Sequence, residues 1–437
     1  METRLPPKIF LIRKMDNNFA EKRKIAMFSI HSDPLAVLGA QESGGQNVYV
    51  NSLVRELDKK DWSVDVFTRW DDARKKKITN IGRKSRLIRL KGGPVKYIPR
   101  MELYDFFPEI YQSFLNFIGN QNPYLLFHGH YWDGGWMALK ASQQFLKPLI
   151  ENFHSLGKVR LQTQQRYLGN INEKSAFDQR FAIEEEIIKA ASLIISLSEA
   201  EKKDLNALYG APLEKITVIP GGINLAQFQC LPKENCREKL NFRKNDFVLL
   251  FVGRLEWRKG LGTLISAVNL LKNDIPNIKG IIVGGRIFGR QKNKDDFKEY
   301  QRLLRKAKEE NVEELIRFVG RVDHGRLPLY YSAADIFVIP SYYEPFGLVT
   351  LEAMACRVPV IASKMGGLQI SVKDGETGLL FEPRNAKDLK EKVLRLYNSK
   401  ELAEKLVKNA YDNIKNNYSW KDIAEKIRNI YKSLLNL

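Results

Sequence analysis

Ser341-Tyr-Tyr-Glu-Pro-Phe-Gly-Leu-Val-Thr-Leu-Glu-Ala-Met-Ala-Cys356 follows directly on an apolar run, Asp335-Ile-Phe-Val-Ile-Pro340, that has the composition of a buried strand. Pro345 and Gly347 break regular structure, and helix formers take over from Leu348. A strand, a short loop and a helix N-terminus form an arrangement that receives anions, through backbone N–H groups and the helix dipole. Glu344 and Glu352 flank that position eight residues apart. They read either as a loop charge and a first-turn helix charge, or as acceptors for sugar and ribose hydroxyls beside a phosphate.

The same alternation runs through the rest of the chain. Lys24–Ile30, Ser63–Thr68, Tyr124–Phe127, Pro148–Ser155, Ala191–Leu197 and Lys215–Ile219 read as strands separated by helical segments. From Gly222 to Asp246 the sheet signal lapses, and then the pattern restarts. Asp246–Gly253, Lys279–Gly285, Ile316–Gly320, Asp335–Ile339, Pro359–Ser363 and Gly378–Phe381 are its strands. Strand–helix alternation predicts parallel sheets covered on both faces. We therefore expect an α/β protein of two doubly wound units, residues 1–221 and 222–418. A closing amphipathic helix, 419–437, packs back on the first unit.

Ligands of such sheets bind at strand carboxyl ends, and several ends carry suitable chemistry. Gly44 and Gly45 open a helix after the first strand, where a ligand meets unhindered N–H groups. His128-Gly-His-Tyr-Trp-Asp133 follows the third strand and reads as a ring-rich floor, with core histidines or metal ligation as the other readings. Only Asp133 would join the two histidines as a ligand, short of what zinc requires. Arg254 and Lys259 share the loop after the first strand of the second unit; a guanidinium fork and an ammonium point charge suit a diphosphate. No paired acid at a strand end calls for magnesium.

Composition narrows the classes. With 437 residues, 44% of them hydrophobic, the chain has the material for two or three packed domains. Three cysteines without CxxC spacing predict reduced thiols in a cytoplasmic protein. No apolar run reaches the ~20 residues of a spanning helix. The first twenty or so residues read as a polar lead-in without assigned function. The net charge of +20 admits nucleic acid, an anionic membrane surface or anionic substrates. Its densest cluster, Arg69 to Arg100, reads first as a solvated loop and second as a peripheral membrane contact. No RNA- or DNA-binding motif accompanies it, so nucleic acid is not expected as a partner.

Taken together, Gly253-Arg254, Lys259-Gly260, Glu344-Pro-Phe-Gly347, Glu352-Ala353, Val218-Ile-Pro-Gly-Gly-Ile-Asn224 and Asp374-Gly-Glu-Thr-Gly378 resemble the signature of retaining glycosyltransferases of family 4. Ser43-Gly-Gly-Gln-Asn-Val-Tyr49 and His128-Gly-His-Tyr-Trp132 are similar to the branch of sucrose-phosphate synthases, sucrose synthases and inositol-phosphate N-acetylglucosaminyltransferases. The resemblance implies the GT-B fold, two Rossmann-like domains facing across a cleft. It implies transfer of a hexose from a nucleoside diphosphate sugar, such as a UDP-sugar, to a soluble acceptor such as a sugar phosphate. No metal or other cofactor is implied. Arg254 and Lys259 would hold the diphosphate, Glu352 the ribose and Glu344 the donor sugar. Phe346, Gly347 and Leu348 would cap phosphates and sugar, Gly44 and Gly45 would pass the donor phosphate, and Arg321 and Val322 would lie by the base. His130 would sit at the reaction centre. An acceptor would face Gln46, Asn47, Arg100, His154 and Arg180. A membrane-surface transferase and a catalytically silent nucleotide-sugar-binding regulator are the alternative functions.

Overall fold

The computed structural model describes residues 23–36, 44–168, 174–289 and 293–437. The lead-in over the first twenty residues, the middle of the loop from His31 to Asn47, and residues 290–292 lie outside the described residues.

The chain forms two sheets. In the first, β1 (Lys24–Phe28), β2 (Ser63–Arg69), β3 (Ile78–Asn80), β4 (Arg86–Leu90), β5 (Phe127–His130), β6 (Leu149–Asn152), β7 (Leu193–Ser196) and β8 (Ile216–Val218) lie in the order β3-β4-β2-β1-β5-β6-β7-β8. All pairings are parallel except β3 with β4. The second holds β9 (Phe247–Val252), β10 (Ile278–Val283), β11 (Ile316–Gly320), β12 (Ile336–Ile339), β13 (Val360–Ser363) and β14 (Leu379–Phe381), all parallel, ordered β11-β10-β9-β12-β13-β14. Central strands such as Phe247-Val-Leu-Leu-Phe-Val252 are apolar throughout because helices cover both faces.

Strand order reverses beside β1 in the first sheet and beside β9 in the second. Between β1 and β5, and between β9 and β12, the following loops diverge to opposite faces and leave a crevice at the strand ends. The chain after β1 reaches His31, after β5 Tyr131, after β9 Arg254, and after β12 the stretch from Ser341.

The helix Trp420–Leu435 belongs by contact to the first sheet. Trp420 meets Tyr49 edge-on at 5.3 Å, Tyr431 packs on Trp62 at 5.4 Å, and the Tyr431 hydroxyl lies 2.8 Å from His128 Nδ1. Ile223 N–H donates to the Tyr418 carbonyl at 2.8 Å, so the two crossings between the units run side by side.

Two readings need correction. The expected Tyr124–Phe127 strand lies three residues later, at Phe127–His130. Its polar residues tolerate full burial because His128 is bonded by both Tyr431 and Asn152. The Arg69–Arg100 cluster is not simply a solvated loop, since it contains β3 and β4. Arg86 pairs with Asp65 at 2.8 Å and Arg89 with Asp33 at 3.0 Å. Arg69 is buried and donates to the carbonyls of Gly92, Pro94 and Lys96. Three of the charges that look like a surface patch thus bond within the fold. Among the described residues no helix is long and apolar enough to cross a membrane.

Candidate active site

The strand-end loops of both sheets enclose a cavity of about 310 Å³. On the second-domain side, Gly347 adopts φ 82°, and a Cβ there would lie 2.6 Å from Leu368. The turn ends the loop and starts the helix Leu348–Ala355. Glu352 lies in the second turn of that helix, not the first as expected, and is buried. Its Oε2 accepts from the Tyr331 hydroxyl at 2.8 Å and its Oε1 lies 2.9 Å from His324 Nε2. Gln227 Nε2 donates to His324 Nδ1 at 2.9 Å, which leaves His324 Nε2 to donate to Glu352. The carboxylate is therefore held in place, with lone pairs remaining for a ligand.

The loop after β9 folds under the same site. Gly260 has φ 65°, and a Cβ there would fall 1.9 Å from the Pro340 carbonyl oxygen, so only glycine lets the two loops meet. Tyr342 N–H donates to the Arg258 carbonyl at 2.7 Å. Lys259 ion-pairs with Glu344, Arg258 with Glu256, and Arg254 with Glu256 at 2.9 Å. Burial would raise the Glu256 carboxyl, but Arg258, Arg254 and Lys259 together hold it well below the usual carboxylate range. These loops set three cations around one face of the cavity, each already oriented by a carboxylate.

The first-domain side is built differently. Gly45 approaches the helix opposite: a Cβ on it would sit 3.5 Å from Leu348. Gln46 lines the cavity and reaches Ser29 Oγ at 3.1 Å. His31 is held through Nδ1 by buried Asp133 at 2.6 Å. Tyr131 (φ 69°) and His154 (φ 56°) are strained non-glycine residues, and both line the cavity. The Tyr131 ring packs between Arg180 at 4.7 Å and Arg100 at 5.6 Å. Arg160 is half-buried beside them and has no carboxylate partner among the described residues. Burial, then Arg100, Arg180 and Arg258, pull its guanidinium down to about 10 against the opposing pull of Tyr131. The Tyr343 hydroxyl crosses the cleft to Ser155 Oγ at 3.2 Å.

Most of the residues expected from the sequence converge here. Gly44, Gly45, Gln46, Arg100, His154, Arg254, Lys259, Arg321, Val322, Glu344, Phe346, Gly347, Leu348 and Glu352 all line the cavity. Three do not. Asn47 is buried, accepting from Gly44 N–H at 2.7 Å and donating to the Asp33 carbonyl at 2.7 Å, so it shapes the glycine loop. Arg180 is buried behind the wall, paired with Glu184 at 2.7 Å and donating to the Tyr131 hydroxyl at 2.9 Å. His130 is fully buried at the end of β5; His154 is the imidazole that reaches the cavity in its place. Tyr131, part of the ring-rich floor, lines the cavity, whereas Arg160, Arg258, Tyr343, His324 and the His31–Asp133 pair were not expected from the sequence. Arg258 stood in an already suspected loop; nothing local marks Arg160.

Two facing α/β units, with the cations Arg254, Arg258 and Lys259 in the loop at the second unit's switch point, have the architecture of a GT-B glycosyltransferase. Residues 43–227 match the family described as glycosyltransferase family 4, and residues 232–413 match glycosyl transferases group 1. The chain is 30% identical over 411 residues to D-inositol 3-phosphate glycosyltransferase 2 of Catenulispora acidiphila, covering 94% of each. It superposes on sucrose-phosphate synthase from Thermosynechococcus elongatus with a TM-score of 0.85 and 35% identity, over 95% of this chain and 99% of that one. HepE of Anabaena, in complex with UDP-glucose, shares the fold at a TM-score of 0.72 and 21% identity, over 94% of this chain and 99% of that one. The chain belongs to the family 4 glycosyltransferases.

Proposed function

We propose that this glycosyltransferase moves a hexose, with retention and without a metal, from a UDP-sugar to a soluble phosphorylated acceptor in the cytoplasm. The observation that carries the acceptor assignment is Arg160. It is a cation lining the first-domain side of the cleft, and its charged neighbours Arg100, Arg180 and Arg258 are other cations. A phosphate ester would supply the missing negative charge. The names of two of the three similar proteins, inositol 3-phosphate glycosyltransferase and sucrose-phosphate synthase, include a phosphate ester, which supports the same reading.

On the donor side, Arg254 and Lys259 face the diphosphate and stabilise the charge it gains as the anomeric C–O bond breaks. Glu352 orders the ribose, and Glu344 the sugar hydroxyls. Its pairing with Lys259 makes Glu344 a poor nucleophile, which favours attack from the leaving-group face. The acceptor oxygen bonds to the anomeric carbon while its proton passes to the departing phosphate oxygen. The protein contributes position and charge.

Nucleoside diphosphate release should be measured over a panel of nucleotide sugars, with sugar and inositol phosphates and their unphosphorylated counterparts as acceptors. A phosphorylated acceptor stimulates release, its counterpart does so at least about tenfold less, and EDTA has no effect. Absence of acceptor-stimulated release with every pair contradicts the proposal. Loss of activity in EDTA removes the metal-free part of it.

A further inference from the structure

Beneath the first-domain wall, three imidazoles are stacked. His128 and His130 lie 4.4 Å apart and His130 and His154 lie 5.3 Å apart, each pair 29° from parallel. The outermost, His154, lines the cavity, while His128 and His130 are fully buried. His130 lies outside the cavity, yet its Nδ1 is 3.0 Å from His154 Nε2. Its own Nε2 is buried and has no partner.

Those contacts fix where the protons sit. Asn152 Nδ2 donates to the Ile195 carbonyl at 2.7 Å, so Asn152 Oδ1 must be the atom facing His128. His128 Nε2 therefore carries a proton, and its Nδ1 accepts from the Tyr431 hydroxyl. His130 has two neutral options. If its proton were on Nε2, a buried N–H would be left without an acceptor. If its proton is on Nδ1, the orphan is a bare ring lone pair. Buried unpaired donors are rarer than under-satisfied acceptors, so the proton belongs on Nδ1. His130 then donates to His154 Nε2. A neutral His154 must carry its own proton on Nδ1, the nitrogen without a protein partner among the described residues.

We propose that His130 is a positioning residue that sets the tautomer of His154, so that His154 meets the substrate as a neutral Nδ1–H donor. The imidazole then contributes a fixed hydrogen bond to an oxygen of the bound sugars and no net charge, and it does not act as a proton acceptor in the transfer. Burial, with His128 and His31 nearby, holds His154 far below the usual imidazole range, to about 3, which agrees with a neutral ring at every working pH. The role in turnover rests on the glycosyltransferase reading above; the tautomer itself does not.

The chain has only five histidines, so long-range ¹H–¹⁵N spectra of the imidazoles can be assigned by single substitutions. In the unmodified protein at pH 7, both His130 and His154 are expected as neutral rings protonated on Nδ1. An Nε2–H or cationic His154 overturns the inference, whatever the enzyme turns over. A kinetic arm follows. His130→Phe keeps a ring but loses the donor, and kcat falls about tenfold, the scale of one hydrogen bond, with donor KM unchanged. His130→Asn places an amide N–H near the position of Nδ1 and restores most of the rate. Equal loss in both variants, with both folded by circular dichroism, overturns the positioning role. A spectrum as expected in a protein that transfers no sugar leaves the tautomer assignment standing and counts against the functional reading instead.

Discussion

The two walls of the cleft handle charge in opposite ways. On the second-domain wall the three cations of the loop after β9 each have a carboxylate beside them: Arg254 and Arg258 share Glu256, and Lys259 holds Glu344. On the first-domain wall Arg180 is paired but withdrawn behind Tyr131, and Arg160 is left among Arg100, Arg180 and Arg258. A site whose charges are paired beforehand is rigid and suits an anion that forms and leaves during the reaction. A site with surplus positive charge suits an anion that arrives with the substrate and stays. On the proposed function, this difference would distinguish the leaving-group side from the acceptor side.

Breaking the paired wall carries the largest expected effect. Lys259→Ala or Arg254→Ala should lower kcat by about 100-fold or more, the scale of one lost charge-stabilising group. Initial rates at saturating substrate check this, and near-normal turnover would remove the residue from the mechanism. Next in size, Glu352→Gln should raise donor KM by about tenfold with acceptor KM unchanged, because one charge-assisted bond becomes neutral. An unchanged donor KM would assign Glu352 to packing alone. Smallest is a pH effect on the other wall. Arg160 is charged below about pH 10 and loses its proton above it. The kcat/KM for a phosphorylated acceptor should therefore decline as pH rises through 10, while that for the unphosphorylated form does not follow the same curve. Parallel declines would show a general alkaline loss instead.

The paired wall was largely legible in the sequence; on the other wall Gly44, Gly45, Gln46, Arg100 and His154 were legible but Arg160 was not. Arg254, Lys259, Glu344 and Glu352 lie on or beside loops marked by glycine, proline and the end of an apolar strand. Such loops advertise their position in the chain itself. Arg160 sits within the helix Gly157–Leu168, where one more arginine carries no signal, and its surroundings come from Arg100 and Arg258 far away in sequence. His130 carries no local signal that tells a buried ring from one in the cleft. Its place at the reaction centre came from the family resemblance; in the structure it ends β5 and its ring is buried. Asn47 could have been found, because an amide three residues into a helix that bonds back to the residue before it is a recognised capping arrangement. The two sheets followed from strand–helix alternation. Only β3 and β4 were lost, in a segment where arginines interrupt the buried strand Arg86-Leu-Ile-Arg-Leu90.

The most direct test measures kcat/KM for a phosphorylated acceptor and for its unphosphorylated counterpart, in the unmodified enzyme and in Arg160→Ala, at one donor concentration. A strong preference for the phosphorylated acceptor is expected, reduced by about 10- to 100-fold in the variant, as for one lost charge-assisted contact. A preference that survives Arg160→Ala intact, or that is absent from the unmodified enzyme, would contradict the proposal.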